Sequence, residues 1–333
     1  MQAFSFATTA QILCEVGSAI RLAELCRERR ARRVLIVTDP GITRLGLLDA
    51  ILPGFPRLGL AVEVYDQVLA DPPESVVEAA LGRARAMAAE LVIGFGGGIV
   101  TTGETTKMGV VSPYLLPDLA LLDADLTLGL PPAVTAATGI DAMVHAIESY
   151  TSKLKKNPLS DLLAREALRL LAANLERAVG DGGDREARQA MLLGACLAGQ
   201  AFANAPVAAV HALAYPLGGH FHIPHGLSNA LVLPEVIRFN APAAAGLYAE
   251  LAPLLLGDRL RPGDRDALTA QLIDELAQLS PRNGLPSRLR DAGVDEAMLP
   301  RLAADAMLQQ RLLVNNPREV GEADALAIYR AAY

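Results

Sequence analysis

The chain has little cysteine, few histidines and no run of charge of one sign. Its three cysteines, Cys14, Cys26 and Cys196, are odd in number and form no C-x-x-C, so neither a disulfide framework nor a thiol redox pair is expected. A reduced, cytoplasmic protein with inert thiols is the reading. Acidic and basic residues are mixed along 333 positions, and the net charge is −7 with a pI near 5.3. That balance disfavours nucleic acid and anionic membrane as partners. No internal repeat is visible. Met1-Gln2-Ala3-Phe4-Ser5-Phe6 has no basic region of the kind that opens a signal peptide. With 52% hydrophobic and 20% charged residues the chain is globular, and it is long enough for two domains with separate cores.

One absence is local. From Gln189 to Pro234 there is no Asp, Glu, Lys or Arg. The stretch is long enough to raise a membrane span. It also contains Pro206, Pro216, Pro224, Pro234 and four histidines, so buried core is the expectation. All five histidines of the protein fall between Asp141 and Gly226. Asp141 and His145 sit at i and i+4 and project from one face of a helix. With His211 and His225 they would make one carboxylate and three imidazoles, a set suited to Fe(II) or Zn(II) with a position left for substrate or water. Other readings stand beside this one. An Asp-x-x-x-His pair is commonly a surface pair, His225 before Gly226 suits a turn, and His211 suits a satisfied core histidine.

The first part of the chain alternates. Residues 9–30 read as a helix, Arg33–Thr38 as a strand, 42–52 as a helix and Leu60–Tyr65 as a strand. Asp71-Pro72-Pro73-Glu74 reads as a capped start to a helix ending near Ala89. Leu91–Phe95 reads as a strand entering Gly96-Gly97-Gly98, and Leu119–Leu122 as another strand. Such alternation predicts a parallel sheet with helices on both faces, and ligands then bind at the carboxyl ends of the strands. Asp39, Gly96, Gly97 and Gly98 lie at such ends. The glycines would let phosphates approach bare backbone N–H groups. Asp39 would accept from an adenosine ribose and repel a 2′-phosphate, which favours NAD over NADP. A turn residue before Pro40-Gly41 is the other reading of Asp39.

Leu130-Pro131-Pro132 is the expected boundary between an α/β domain, 1–130, and an all-α domain, 131–333. Helices are predicted over 133–151, 159–178, 184–203, 206–217, 225–240, 243–256, 263–279, 294–314 and 321–332.

Asp141-x-x-x-His145, His211 and His225, with Tyr215-Pro216-Leu217-Gly218 and Pro224-His225-Gly226 between and around them, resemble the signature of the iron-containing (group III) alcohol dehydrogenases. The likeness runs from Val34-Thr38-Asp39 to Asn316-Pro317-Arg318. It implies a dinucleotide-binding domain over 1–130 and a metal-binding domain over 131–333, hydride transfer between an alcohol, or its aldehyde or ketone, and NAD(P), a metal held by Asp141, His145, His211 and His225, and a dimer. Asp39 and the glycines would face the dinucleotide, and Lys107 would reach its nicotinamide ribose. Tyr215, one turn from His211, and His222 are candidates for the substrate pocket. His220 and His222 are otherwise satisfied core histidines, and Glu148, two turns from Asp141, reads as structural. Glycerol or other polyol dehydrogenases and maleylacetate reductases are the alternatives within this architecture. A metal-binding assembly subunit without cofactor binding is the alternative outside it.

One departure is marked. A strand ending in three glycines needs a crossover of about a dozen residues or more to continue a parallel sheet. Here Gly98 passes into Ile99–Val111, which reads as a hairpin. The family's helix start at this point has no counterpart, so Gly98 and Ile99 are expected not to be neighbours in the native protein.

Overall fold

The computed structural model describes residues 3–69, 72–96 and 115–333. It divides into an α/β unit, Gln11–Gly129, and a helical unit, Leu130–Tyr333 together with Met1–Ala10. The expected hairpin over 99–111, Asp71, Gly97, Gly98, Lys107 and the Gly98–Ile99 junction lie outside the described residues.

The α/β unit contains two parallel sheets. β2 (Arg33–Val37) lies between β3 (Ala61–Tyr65) and β4 (Leu91–Gly94), while β1 (Gln11–Cys14) pairs with β5 (Leu119–Leu122). Val34, Leu35 and Ile36 are fully buried at the centre, as expected of a β-branched run flanked on both sides. The chain steps from β2 to one neighbour and then crosses to the other, so the carboxyl ends of β2 and β4 bound a topological switch point.

The helix expected over 9–30 is not formed. Gln11–Cys14 is β1, and helix α1 covers only Leu22–Glu28. Pairing with β5 overrides the helical periodicity. The Asp123 carboxylate fixes the bend by accepting from Gly17 N–H at 2.7 Å and Ala19 N–H at 2.8 Å. Gly17 has φ +75°, which ends any helix there. The helix expected over 42–52 shortens to α2 (Pro40–Arg44), and Gly46 at φ +69° breaks the continuation. α3 covers Gly54–Arg57, and α4 (Glu74–Ala86) has Pro73 at its N-cap.

The helical unit is built around α5 (Pro132–Thr151), which packs against α6 (Pro158–Gly180), α7 (Arg185–Asn204) and α9 (His225–Leu256). α5 starts on Pro132, placed at the first helical position where no N–H is needed. It is apolar nearly all round, and Ala136, Ile140, Met143, Val144 and Ile147 are buried, as such a helix requires. α8 (Ala209–Phe221) and α10 (Arg265–Arg282) complete the inner layer. The two helices expected over 225–240 and 243–256 are one helix of 32 residues. Pro234, Pro242 and Pro253 lie inside it, their cost outweighed by packing against α5 and α10. The single helix expected over 294–314 is broken into α11 (Leu299–Ala306) and α12 (Gln310–Leu313), and α13 (Glu322–Ala332) closes the chain. Among the described residues no single helix is long and apolar enough to cross a membrane. The uncharged run forms α7, α8 and the start of α9, with Ala198, Leu213, Leu217 and Leu231 in the core.

Two tests follow from the packing. A Cβ built on Gly226 would lie 2.4 Å from the Ala137 carbonyl oxygen and 2.8 Å from its carbon, so α9 meets the backbone of α5 with no room for a methyl group. Gly226→Ala should lower stability by roughly 1–3 kcal/mol, read as a lower urea midpoint. An unchanged midpoint would disprove the close approach. The second concerns Cys26, which is buried, and burial pushes its thiol up to about 11 despite Arg29 nearby. At pH 8 its thiolate fraction is on the order of one in a thousand. A thiol reagent should therefore modify exposed Cys14 first and reach Cys26 only on unfolding. The unfolded thiol ionises nearer 9, so unfolding releases a proton between about 9 and 11 and stability falls as pH rises through that window. Rapid native labelling of Cys26 at pH 8 would contradict this placement.

Candidate metal centre

Three helices bring the sequence-predicted ligands together. α5 carries Asp141 and His145 on one face, α8 carries His211 in its first turn, and α9 begins at His225. One ligand atom from each of Asp141, His145, His211 and His225 lies within 4.8 Å of all the others. His145 Nε2 and His211 Nε2 are 3.0 Å apart. The Asp141 carboxylate lies 3.9 Å from His211 Nε2, 3.7 Å from His225 Nε2 and 4.0 Å from His145 Nδ1. Ligands about 2.1 Å from a tetrahedral ion are separated by about 3.4 Å, so these spacings suit one cation.

The electrostatics point the same way. Burial opposes the Asp141 carboxylate, yet His145, His225, His211 and the Asn229 amide hold its pKa below the usual value. Burial drives His145 down to about 4, against the pull of Asp141. Burial also works against a charge on His211, but the hydrogen bond and charge of Glu148, with Asp141, leave its pKa raised. The His145 ring is thus neutral near pH 7, and its Nε2 faces His211 Nε2 at a spacing that a proton or a metal ion between the two nitrogens would bridge.

Two neighbours, Asn229 and Phe202, escaped the sequence reading, and a third, Glu148, was read only as structural. Asn229, fully buried, places its amide nitrogen 2.5 Å from Asp141 Oδ1, 3.3 Å from His211 Nε2 and 3.2 Å from His225 Nε2. Its Oδ1 has no hydrogen-bond partner. A donor aimed at three electron-donating atoms marks the point as one that calls for positive charge. Phe202 stacks on the His145 ring, centroids 4.6 Å apart. Glu148, buried on α5, accepts from Val210 N–H at 2.7 Å through Oε1, and its Oε2 lies 2.7 Å from His211 Nδ1. Asn229 is one turn beyond His225, the one available signal for it. Glu148 was visible as one of two acidic residues on an otherwise apolar helix.

Tyr215 is buried with its ring centroid 5.9 Å from that of His225, and burial raises its phenol pKa despite Arg311. His222 is exposed, occupies the left-handed C-cap of α8 at φ 54°, and is not among the four ligands. His220 is bound instead to Asp305, 2.7 Å away.

In the α/β unit, Asp39 ends β2 and caps α2, accepting from Gly41 N–H at 2.7 Å and Ile42 N–H at 3.2 Å through Oδ1. Its Oδ2 faces Gly96, where an added Cβ would lie 3.4 Å away. Gly96 has φ +108°. The two candidate cofactor residues within the described chain are therefore neighbours at the switch point, and the turn reading of Asp39 is met at the same time.

The profile of the Fe-containing alcohol dehydrogenase family, C-terminal part, matches residues 135–333, and that of iron-containing alcohol dehydrogenase matches 9–102. Long-chain-alcohol dehydrogenase 1 of Geobacillus thermodenitrificans is 36% identical over 95% of this chain and 93% of its own. That alignment spans 371 positions, of which 95% of 333 residues fills about 316, so some 55 carry residues of the relative alone. A solved 1,3-propanediol oxidoreductase superposes with a TM-score of 0.93 at 29% identity, covering 100% of both chains. Sulfoacetaldehyde reductase from Bifidobacterium kashiwanohense, solved in complex with NAD+, gives 0.87 at 23% identity, covering 100% of this chain and 99% of its own. With a helical unit matched throughout and its Asp/His cluster assembled, the chain belongs to the iron-containing alcohol dehydrogenase family and is an oxidoreductase of alcohols.

Proposed function

We propose that this enzyme interconverts an alcohol and its aldehyde or ketone using NAD and a divalent iron or zinc ion held by Asp141, His145, His211 and His225. The convergence of those four side chains carries the reading. The ion, when bound, would act as a Lewis acid on the substrate oxygen, and the nicotinamide would supply the hydride chemistry. The chain's own residues hold and shape the site. Asp141 contributes the one negative charge of the ligand set, and Asn229 orients it through Oδ1. Phe202 covers the His145 ring and excludes water from that side. Tyr215 and His222 are the proposed pocket residues. Asp39 and Gly96, with Gly97, Gly98 and Lys107, form the proposed cofactor set. A homo-oligomeric state, a dimer in the first instance, belongs to the same proposal.

We also place the roughly 55 unmatched positions of the relatives after Gly98. Among the described residues β4 has a strand partner on one side only. Val92 on β4 is 57% exposed, and α4 buries none of its residues, leaving Val77 and Leu81 in solvent. An inner strand and its covering helix would ordinarily be buried on both sides. A missing βαβ segment accounts for all three observations.

Three measurements test these readings. His225→Ala, which leaves the Glu148–His211 pair intact, should reduce metal content to background and kcat/KM by about 10³-fold or more. Full activity without metal would refute the site. Asp39→Asn keeps the helix cap and removes the charge, so the kcat/KM preference for NAD over NADP should fall by about tenfold. A wild type that prefers NADP, or an unchanged ratio, would overturn the role of Asp39. Finally, tryptic mapping of the protein from its natural source should yield no peptide running from Ala86 to Lys107 through a Gly98–Ile99 bond. Finding that peptide would show that the segment is absent from the native chain.

A further inference from the structure

Glu148 is a buried carboxylate with two assigned bonds and no place in the ligand set. One oxygen accepts from the Val210 N–H in the first turn of α8. Ala208, the N-cap of that helix, supplies no side-chain cap, so Glu148 reaches over from α5 to satisfy an N–H that would otherwise be orphaned. The other oxygen meets His211 Nδ1 at 2.7 Å, with both side chains almost fully buried. The opposite ring nitrogen, Nε2, is the one that faces His145, His225 and Asp141.

An ionised carboxylate can only accept hydrogen bonds. With one oxygen committed to a backbone N–H, the second takes a proton from His211 Nδ1. In the neutral ring that leaves Nε2 as a lone pair pointing into the cluster, the form a metal ion needs. We infer that Glu148 is the positioning residue of the metal centre: it fixes the tautomer and ring orientation of His211, and it ties that ring to the start of α8. The inference rests on the metal reading proposed above and deepens it.

Glutamine is the sharpest probe because it keeps the shape. Its carbonyl oxygen must still accept from Val210 N–H, since its amide group cannot. The amide NH₂ then faces Nδ1 of His211, which can only be satisfied as an acceptor. The ring proton moves to Nε2 and occupies the metal's place. Metal affinity should therefore fall by roughly 10–100-fold, the usual effect of removing the partner behind a histidine ligand. The fold should survive, because packing and the Val210 bond are retained.

The test uses metal-stripped full-length protein titrated with Zn(II) alone, with affinity read by competition against a chromogenic chelator and the melting temperature of the apo forms measured alongside. Wild type should bind one equivalent, and Glu148→Gln should bind 10–100-fold more weakly with an apo melting temperature within a few degrees. Equal affinity in the two proteins would overturn the role of Glu148 while leaving the metal site standing. A wild type that binds no metal would overturn both. Should Glu148→Gln not fold, the wild type alone still decides the matter. With only five histidines, ¹⁵N-imidazole spectra of the apo protein are tractable. They should show His211 protonated at Nδ1, and an Nε2–H tautomer would refute the inference.

Discussion

Four electron-donating side chains are held within 4.8 Å of one another in a helical core that is otherwise almost without charge. Much of the helical unit can be understood as the means of holding them. α5 offers Asp141, His145 and Glu148 in sequence, and its apolar remainder is buried against α6, α7 and α9. Gly226 lets α9 start in contact with the α5 backbone, which brings His225 to Asp141. The absence of compensating charge between positions 189 and 234 is what makes the cluster unsatisfied by protein groups alone. Asn229 turns its amide nitrogen toward three of the candidate ligand atoms.

The α/β unit presents the opposite situation. Its centre is well made: β2 is flanked on both sides, and Val34 and Ile36 are fully buried. Toward β4 the packing thins. Val92 on β4 and Val77 and Leu81 on α4 remain in solvent, and β1 with β5 forms a sheet of its own. Leu121 nevertheless packs against the same core as Ile93. Among the described residues the two sheets share a core without sharing a ladder.

The placement of Glu148 adds a positioning residue to the four candidate ligands of the proposed metal centre. In that proposal four side chains present lone pairs, and Glu148 decides which nitrogen of His211 is bare. The same carboxylate caps α8, so the geometry of the helix start and the protonation pattern of the ligand are set by one group.

The sequence by itself pointed to the cluster of Asp141, His145, His211 and His225, because Asp141 and His145 share a helical face and the histidines fall in an uncharged stretch where they need partners. It determined the alternation of β2, β3 and β4 with helices, because short β-branched runs between helical periods have few other solutions. It also suggested a boundary at Leu130-Pro131-Pro132, from the proline pair alone. Tertiary structure alone decided the rest. Residues 11–14 have a helical apolar period, and only the pairing with β5 makes them a strand. Pro242 signals a break that packing on α5 and α10 overrides. Glu148 and Asn229 carry no spacing that distinguishes a structural polar residue from one serving a ligand. Their roles depend on which atoms lie opposite across 62 and 88 residues of intervening chain, a distance over which local sequence carries no geometric information.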